Sequence, residues 1–225
     1  MYPTNAPGKE SKNNKPGKIG ILVSHLNCIN GTDLWELIFL YCFLEKARFH
    51  VVNIYAPDLT SGSRRYSMND INGCTLGEVV PLSREIGKEI KGLIIPGMKV
   101  NYHSSDSNNP PEVEIHINSE IKRFLREIFR RKKPIAAVGY SVRLLTAAIG
   151  DISDSPLTVT IGNYPPIESI IERNGCVTVN TRGGEVVMDE TNRLITTAGH
   201  YGERKITTIN AGMENLVAGL LSFIK

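Results

Sequence analysis

The apolar positions of this chain fall into short blocks whose period changes along the sequence. Lys18 to Ser24, KIGILVS, is a continuous run rich in β-branched residues and closed by polar residues and Gly31, the pattern of a parallel strand buried on both faces. Leu34, Leu37, Ile38, Tyr41 and Leu44 then recur at helical spacing as far as Ala47, and a second apolar run spans His50 to Ala56. A polar, glycine-rich stretch from Pro57 to Gly77 leads to a run at Glu78 to Leu82, a short polar helix over Ser83 to Ile90, and a third core strand over Gly92 to Ile95 that ends on Pro96-Gly97. Asn101 to Pro111 is a loop by composition. Ile121, Phe124, Leu125 and Ile128 form one helical stripe that runs directly into a strand at Pro134 to Val138, and a further helix follows.

Beyond it the pattern predicts short strands at Leu157 to Ile161, Cys176 to Val179, Glu185 to Met188 and Leu194 to Thr197, the last two as a hairpin, with a helix at Ile167 to Asn174. Met213, Leu216, Val217, Leu220, Leu221 and Ile224 make the final amphipathic helix. Alternating β and α elements predict an α/β three-layer sandwich around one doubly wound, mostly parallel sheet. Residues 1–17 read as a flexible polar tail and residues 18–225 as one domain.

Composition narrows the function without naming it. The chain of 225 residues is 41% hydrophobic and 22% charged, and no apolar run approaches the ~20 residues of a membrane span. A net charge of +3 is too mild to imply nucleic acid; the basic cluster from Lys122 to Lys133 reads as a solvated helix face. Cys28, Cys42, Cys74 and Cys176 contain no C-x-x-C and suggest neither zinc nor a disulfide framework. With no apolar or arginine-rich amphipathic leader, the expectation is a reduced, cytoplasmic setting.

The densest information lies in Lys133 to Leu145, KPIAAVGYSVRLL, a buried strand that turns at Gly139 into a helix. Enzymes place nucleophiles at such elbows, where the following N–H groups and the helix N-terminus stabilise developing negative charge. Ligand crevices of open α/β sheets lie beyond the strands' carboxyl ends, so the candidates there are His25 and Cys28, then Gly97 and Met98, then Gly139, Tyr140 and Ser141, and finally His200.

Further phrases carry a family resemblance: Ala56-Pro57-Asp58, Gly77-Glu78-Val79-Val80-Pro81-Leu82, Leu93-Ile94-Ile95-Pro96-Gly97, Pro156-Leu157-Thr158-Val159-Thr160-Ile161-Gly162 and Val187-Met188-Asp189-Glu190-Thr191-Asn192. From Lys18 to the C-terminus the chain resembles the ThiJ/PfpI superfamily, whose fold is flavodoxin-like and class I glutamine-amidotransferase-like, and within it the enhancing-lycopene-biosynthesis (ElbB-like) branch. The resemblance implies a homodimer, allows mitochondria as the alternative compartment, and places the family's site carboxylate on Glu36. It also places the reactive cysteine on Gly139, an elbow backbone donor on Tyr140, and the second glycine of a Pro-Gly-Gly turn on Met98. Glycine has no atom that attacks a carbonyl, and Met98 crowds the turn where a substrate oxygen would sit.

Glu36 has a second reading, because Asp33-Leu34-Trp35-Glu36 has the spacing of a capping box. Ser141 is an alternative nucleophile, since Gly139-Tyr140-Ser141 starts a G-x-S-x-G elbow with Asp189 and His200 following in order, although Arg143 stands where the final glycine belongs. No metal and no cofactor are expected. The leading expectation is a catalytically silent or cysteine-independent ThiJ/PfpI scaffold that binds a small molecule or a partner, with neither nucleic acid nor membrane. The alternatives are a glyoxalase- or deglycase-type hydrolase or lyase that uses Glu36 on small reactive carbonyls, and a serine hydrolase that uses Ser141.

Overall fold

The computed structural model describes residues 17–24, 31–56, 68–73, 75–98, 117–200 and 205–224. Seven strands form the main sheet: β1 (Lys18–Val23), β2 (His50–Tyr55), β3 (Glu78–Pro81), β4 (Gly92–Ile95), β5 (Ile135–Val138), β8 (Val186–Asp189) and β9 (Leu194–Thr197). Their order is β3-β2-β1-β4-β5-β9-β8. Every neighbouring pair is parallel except β8 and β9, which form the expected hairpin.

The helices are α1 (Leu34–Lys46), α2 (Met68–Asn72), α3 (Arg84–Glu89), α4 (Ser119–Arg130), α5 (Ser141–Ile149), α6 (Pro165–Arg173) and α7 (Ile206–Ser222). Strand alternation feeds a separate core on each face. Leu93, Ile95, Ile135 and Ala137 point toward α4 and α5, whose Phe124, Leu125, Leu144 and Leu145 close that side. Ile19, Ile21, Ile94 and Ala136 point toward α1 and α7, where Leu37, Leu40, Met213 and Leu216 close the other. The result is the three-layer, mostly parallel sandwich that alternating β and α elements require.

Four elements differ from the sequence reading. The runs at Leu157 and Cys176 do not extend the main sheet; β6 (Thr158–Val159) and β7 (Val177–Thr178) pair as a separate two-stranded ladder. The cause is side-chain competition, since Thr158 N donates to Asp189 Oδ2 and Thr160 N to Thr196 Oγ1, each at 2.8 Å. α7 starts seven residues before its apolar stripe, with Ile206 exposed and burial beginning at Ile209, so its first turn carries no apolar signal. α2 forms inside a stretch that composition marks as a loop, where it buries Ile71. Among the described residues no helix is long and apolar enough to cross a membrane.

Candidate functional site

Strand order reverses between β1 and β4, and the region beyond the carboxyl ends of these strands is where open α/β sheets place their ligand crevice. Asp33 begins the helix that leaves β1. Its backbone is extended, and Oδ1 accepts from Trp35 N at 3.0 Å and Glu36 N at 3.1 Å, an N-cap that satisfies two otherwise unpaired donors.

A capping box would return the bond from Glu36 to Asp33 N. Instead Asp33 N donates to Gly97 O at 2.8 Å, and Glu36 turns across the switch point. Glu36 Oε2 accepts from Gly97 N at 2.7 Å, and Oε1 accepts from His200 N at 2.9 Å. His200 Nδ1 lies 2.8 Å from the same Oε1 and 3.7 Å from Asp33 Oδ2. With 1% of its surface exposed, Glu36 is thus held by donors from the ends of β4 and β9, which offset the loss of water around its charge.

Two glycines make room for this carboxylate. A Cβ on Gly97 would overlap Glu36 Oε2, and a Cβ on Gly199, whose φ is +60, would overlap both Glu36 Oε1 and Val138 Cγ1. Asp33, Glu36 and His200 each offer one ligand atom, all within 4.8 Å of one another, a spacing that could hold a metal ion.

The elbow forms as the sequence suggests. Gly139 adopts φ 52, a left-handed conformation that suits glycine, and its N–H donates to Thr197 O at 2.8 Å. Tyr140 is the N-cap residue of α5, and its hydroxyl accepts from Arg143 Nη1 at 2.6 Å. Ser141 is fully buried and donates through Oγ to Pro96 O at 2.5 Å. Asp189 accepts from Thr158 N and Asn192 N while His200 faces Glu36, so the order Ser141, Asp189, His200 is not matched by a hydrogen-bonded relay among them. Ser141→Ala is expected to lower stability by about 1 kcal/mol, the value of one hydrogen bond, in urea unfolding.

Met98 pairs through its backbone with Thr32, and its side chain is buried in the same core as Tyr140 and Ile95. Gly97 contributes through its backbone, and both its N–H and its carbonyl are engaged with α1. His25 and Cys28 lie outside the described residues. Of the described cysteines, Cys42 is exposed on α1, while Cys176 is buried before β7 with its thiol pushed up to about 11 by desolvation.

Sequence reading assigned Asp33 only a capping role and passed over Gly199. The available signal was a Gly-His pair directly after a strand, at the same sheet edge as Pro96-Gly97.

No family model matches the chain. Among solved structures, an isoprenoid-biosynthesis protein with an amidotransferase-like domain from Ehrlichia chaffeensis superposes with TM-score 0.72 at 20% identity, covering 92% of this chain and 99% of that one. DJ-1 of Schizosaccharomyces pombe gives TM-score 0.53 at 15% identity over 92% and 96% of the two chains. A ThiJ/PfpI family protein from Pseudomonas syringae gives 0.54 at 16% identity over 97% and 76%. The chain has the DJ-1/ThiJ/PfpI fold. Within that fold, Glu36, Gly97, Gly139 and His200 all stand at the carboxyl edge of the sheet, following β1, β4, β5 and β9 respectively.

Proposed function

We propose that this chain is a cysteine-independent member of the ThiJ/PfpI superfamily, of its enhancing-lycopene-biosynthesis branch, whose crevice binds a small carbonyl compound without forming a covalent intermediate. Gly139 occupies the position of the reactive cysteine and offers no attacking atom. The observation that carries the proposal is the contrast between that elbow and Glu36, which is kept buried and tied to Gly97, His200 and the end of β9. A crevice that keeps its carboxylate while its elbow carries no side chain is suited to binding rather than acyl transfer.

A second reading, a glyoxalase- or deglycase-type activity on small reactive carbonyls, draws support from the Glu36–His200 contact, because a carboxylate beside Nδ1 orients an imidazole for proton transfer. Methylglyoxal consumption separates the two. Wild type is expected to be inactive and Gly139→Cys to gain slow turnover; turnover in wild type that His200→Ala abolishes would replace the binding reading with the enzymatic one. A fluorophosphonate probe is expected to leave Ser141 unlabelled.

A homodimer belongs to the same proposal, since Trp35 and Ile38, 58% and 42% exposed, present apolar surface one turn apart on α1. A sedimentation mass of twice 24.9 kDa supports it, and a monomer removes it. Cytoplasmic residence is proposed alongside, with mitochondria as the alternative.

A further inference from the structure

At the opposite edge of the sheet, where β4, β5 and β9 begin, a cavity of about 370 Å³ is lined by Lys88, Lys91, Lys132, Lys133 and Arg193. Its remaining walls, Ile90, Pro134, Phe223 and Ile224, are apolar, and no carboxylate lines it among the described residues. The basic cluster that ends α4 is exposed over Arg130 to Lys132, and its last two residues also border this cavity. Arg126 pairs with Asp151 and Arg131 with Glu127, whereas Lys132 and Lys133 turn into this cavity beside lysines from the end of α3.

Cations near helix C-termini commonly serve the exposed carbonyls there. Lys133 does so, donating to Gly87 O, Lys88 O and Ile90 O at 2.6–2.8 Å, and one arm of Arg193 donates to Phe223 O. That leaves Lys88, Lys91 and Lys132 with no acceptor among the described residues, and it leaves Arg193 Nε buried and unpaired. The Arg193 guanidinium also lies over the Phe223 ring, 5.2 Å from its centroid, which sets its charge against the apolar wall of the cavity.

Lys132 and Arg193 also hold the left-handed backbone, at φ 54 and 56, where glycine or asparagine would sit with less strain. Burial, and then the neighbouring Arg131 and Lys91, lower the basicity of Lys133.

We propose that this cavity is a binding site for a small molecule bearing a diphosphate group, held by Lys88, Lys91 and Lys132, with the Arg193 guanidinium adding positive charge from the wall. Several cations from different elements match an anion of multiple charge and several acceptor oxygens better than a single carboxylate. The volume accommodates a diphosphate with an organic part against Phe223 and Ile224. The site is independent of the crevice, so it stands whether or not Glu36 has a role in binding.

The test is calorimetric titration of the full chain with inorganic pyrophosphate and, separately, with ADP, at constant ionic strength. Saturable binding of pyrophosphate is expected, weakened at least tenfold in Lys91→Ala/Lys132→Ala and unchanged within twofold in the charge-matched Lys46→Ala/Lys122→Ala. Tighter binding of ADP would assign the organic part to the apolar wall, and equal binding would assign recognition to the diphosphate alone; both support the site. Three results would overturn the proposal: no saturable binding at millimolar pyrophosphate, equal affinity in the two double variants, or sulfate binding as tightly as pyrophosphate, which would mark an adventitious ion only.

Discussion

Glu36→Gln is expected to lower the unfolding free energy by about 2–3 kcal/mol, which for a domain of this size is a fall in Tm of roughly 5–10 °C. The two carboxylate oxygens face two backbone donors, Gly97 N and His200 N. A glutamine can present its carbonyl to only one of them and sets an NH₂ against the other, so a buried N–H loses its acceptor. Glu36→Ala removes both acceptors and leaves a void, and about 4 kcal/mol is expected. A fall in Tm below about 2 °C for Glu36→Gln would show that one of these donors has another acceptor and that the carboxylate does not organise the crevice. Urea midpoints with an unchanged slope would place the effect in the native state rather than in the unfolded chain.

The size of that effect follows from where Glu36 sits. Its helix leaves β1, and its two bonds reach the turns after β4 and β9, which stand on the far side of the strand-order reversal. One side chain on α1 therefore ties together the turns that follow β4 and β9, two strands that flank β5 in the sheet. The same bonds fix Gly97 and His200 relative to the elbow at Gly139, so the stability of the crevice and its shape have a common origin. Function and folding are hard to separate here by deleting Glu36, which is why His200→Ala is the better probe of proton transfer.

The sheet was legible because its signal is local and repeated. KIGILVS, HVVNIY and GLII are apolar runs with turn residues at their ends, and burial on both faces leaves such runs without alternation. The short strands after α5 were only half legible. Their residues suit strands, but the Asp189 carboxylate and the Thr196 hydroxyl take the backbone donors that pairing would use, and no period in the sequence reports a side chain 30 residues away. The site divides in the same manner. The elbow at Gly139 and the Pro96-Gly97 turn follow from strand ends, whereas the choice for Glu36 between its own cap and the crevice depends on Gly97 O reaching Asp33 N first. That competition is tertiary, and the capping-box spacing fits either outcome.

Gly199→Ala is expected to be the most damaging small substitution at the site, lowering stability by about 2–5 kcal/mol or preventing folding. Two effects add. A side-chain-bearing residue at φ +60 costs about 1–2 kcal/mol, and the new methyl overlaps Glu36 Oε1 and Val138 Cγ1, an overpacking that costs about 1–3 kcal/mol more. Gly97→Ala isolates the second effect, because Gly97 has no left-handed backbone and the three atoms nearest its Cβ would all belong to the Glu36 carboxylate. If the steric account holds, Gly97→Ala should cost about 2 kcal/mol in wild type and much less in a Glu36→Ala background, where the overlapping oxygen is gone. A double-mutant cycle then gives a coupling of at least ~1 kcal/mol. Additivity within about 0.5 kcal/mol would mean that the glycine is there for its backbone alone and that the carboxylate's seat is not built from Gly97. The same cycle on Gly199 should recover only part of the loss, because its backbone strain and its overlap with Val138 persist when the carboxylate is removed.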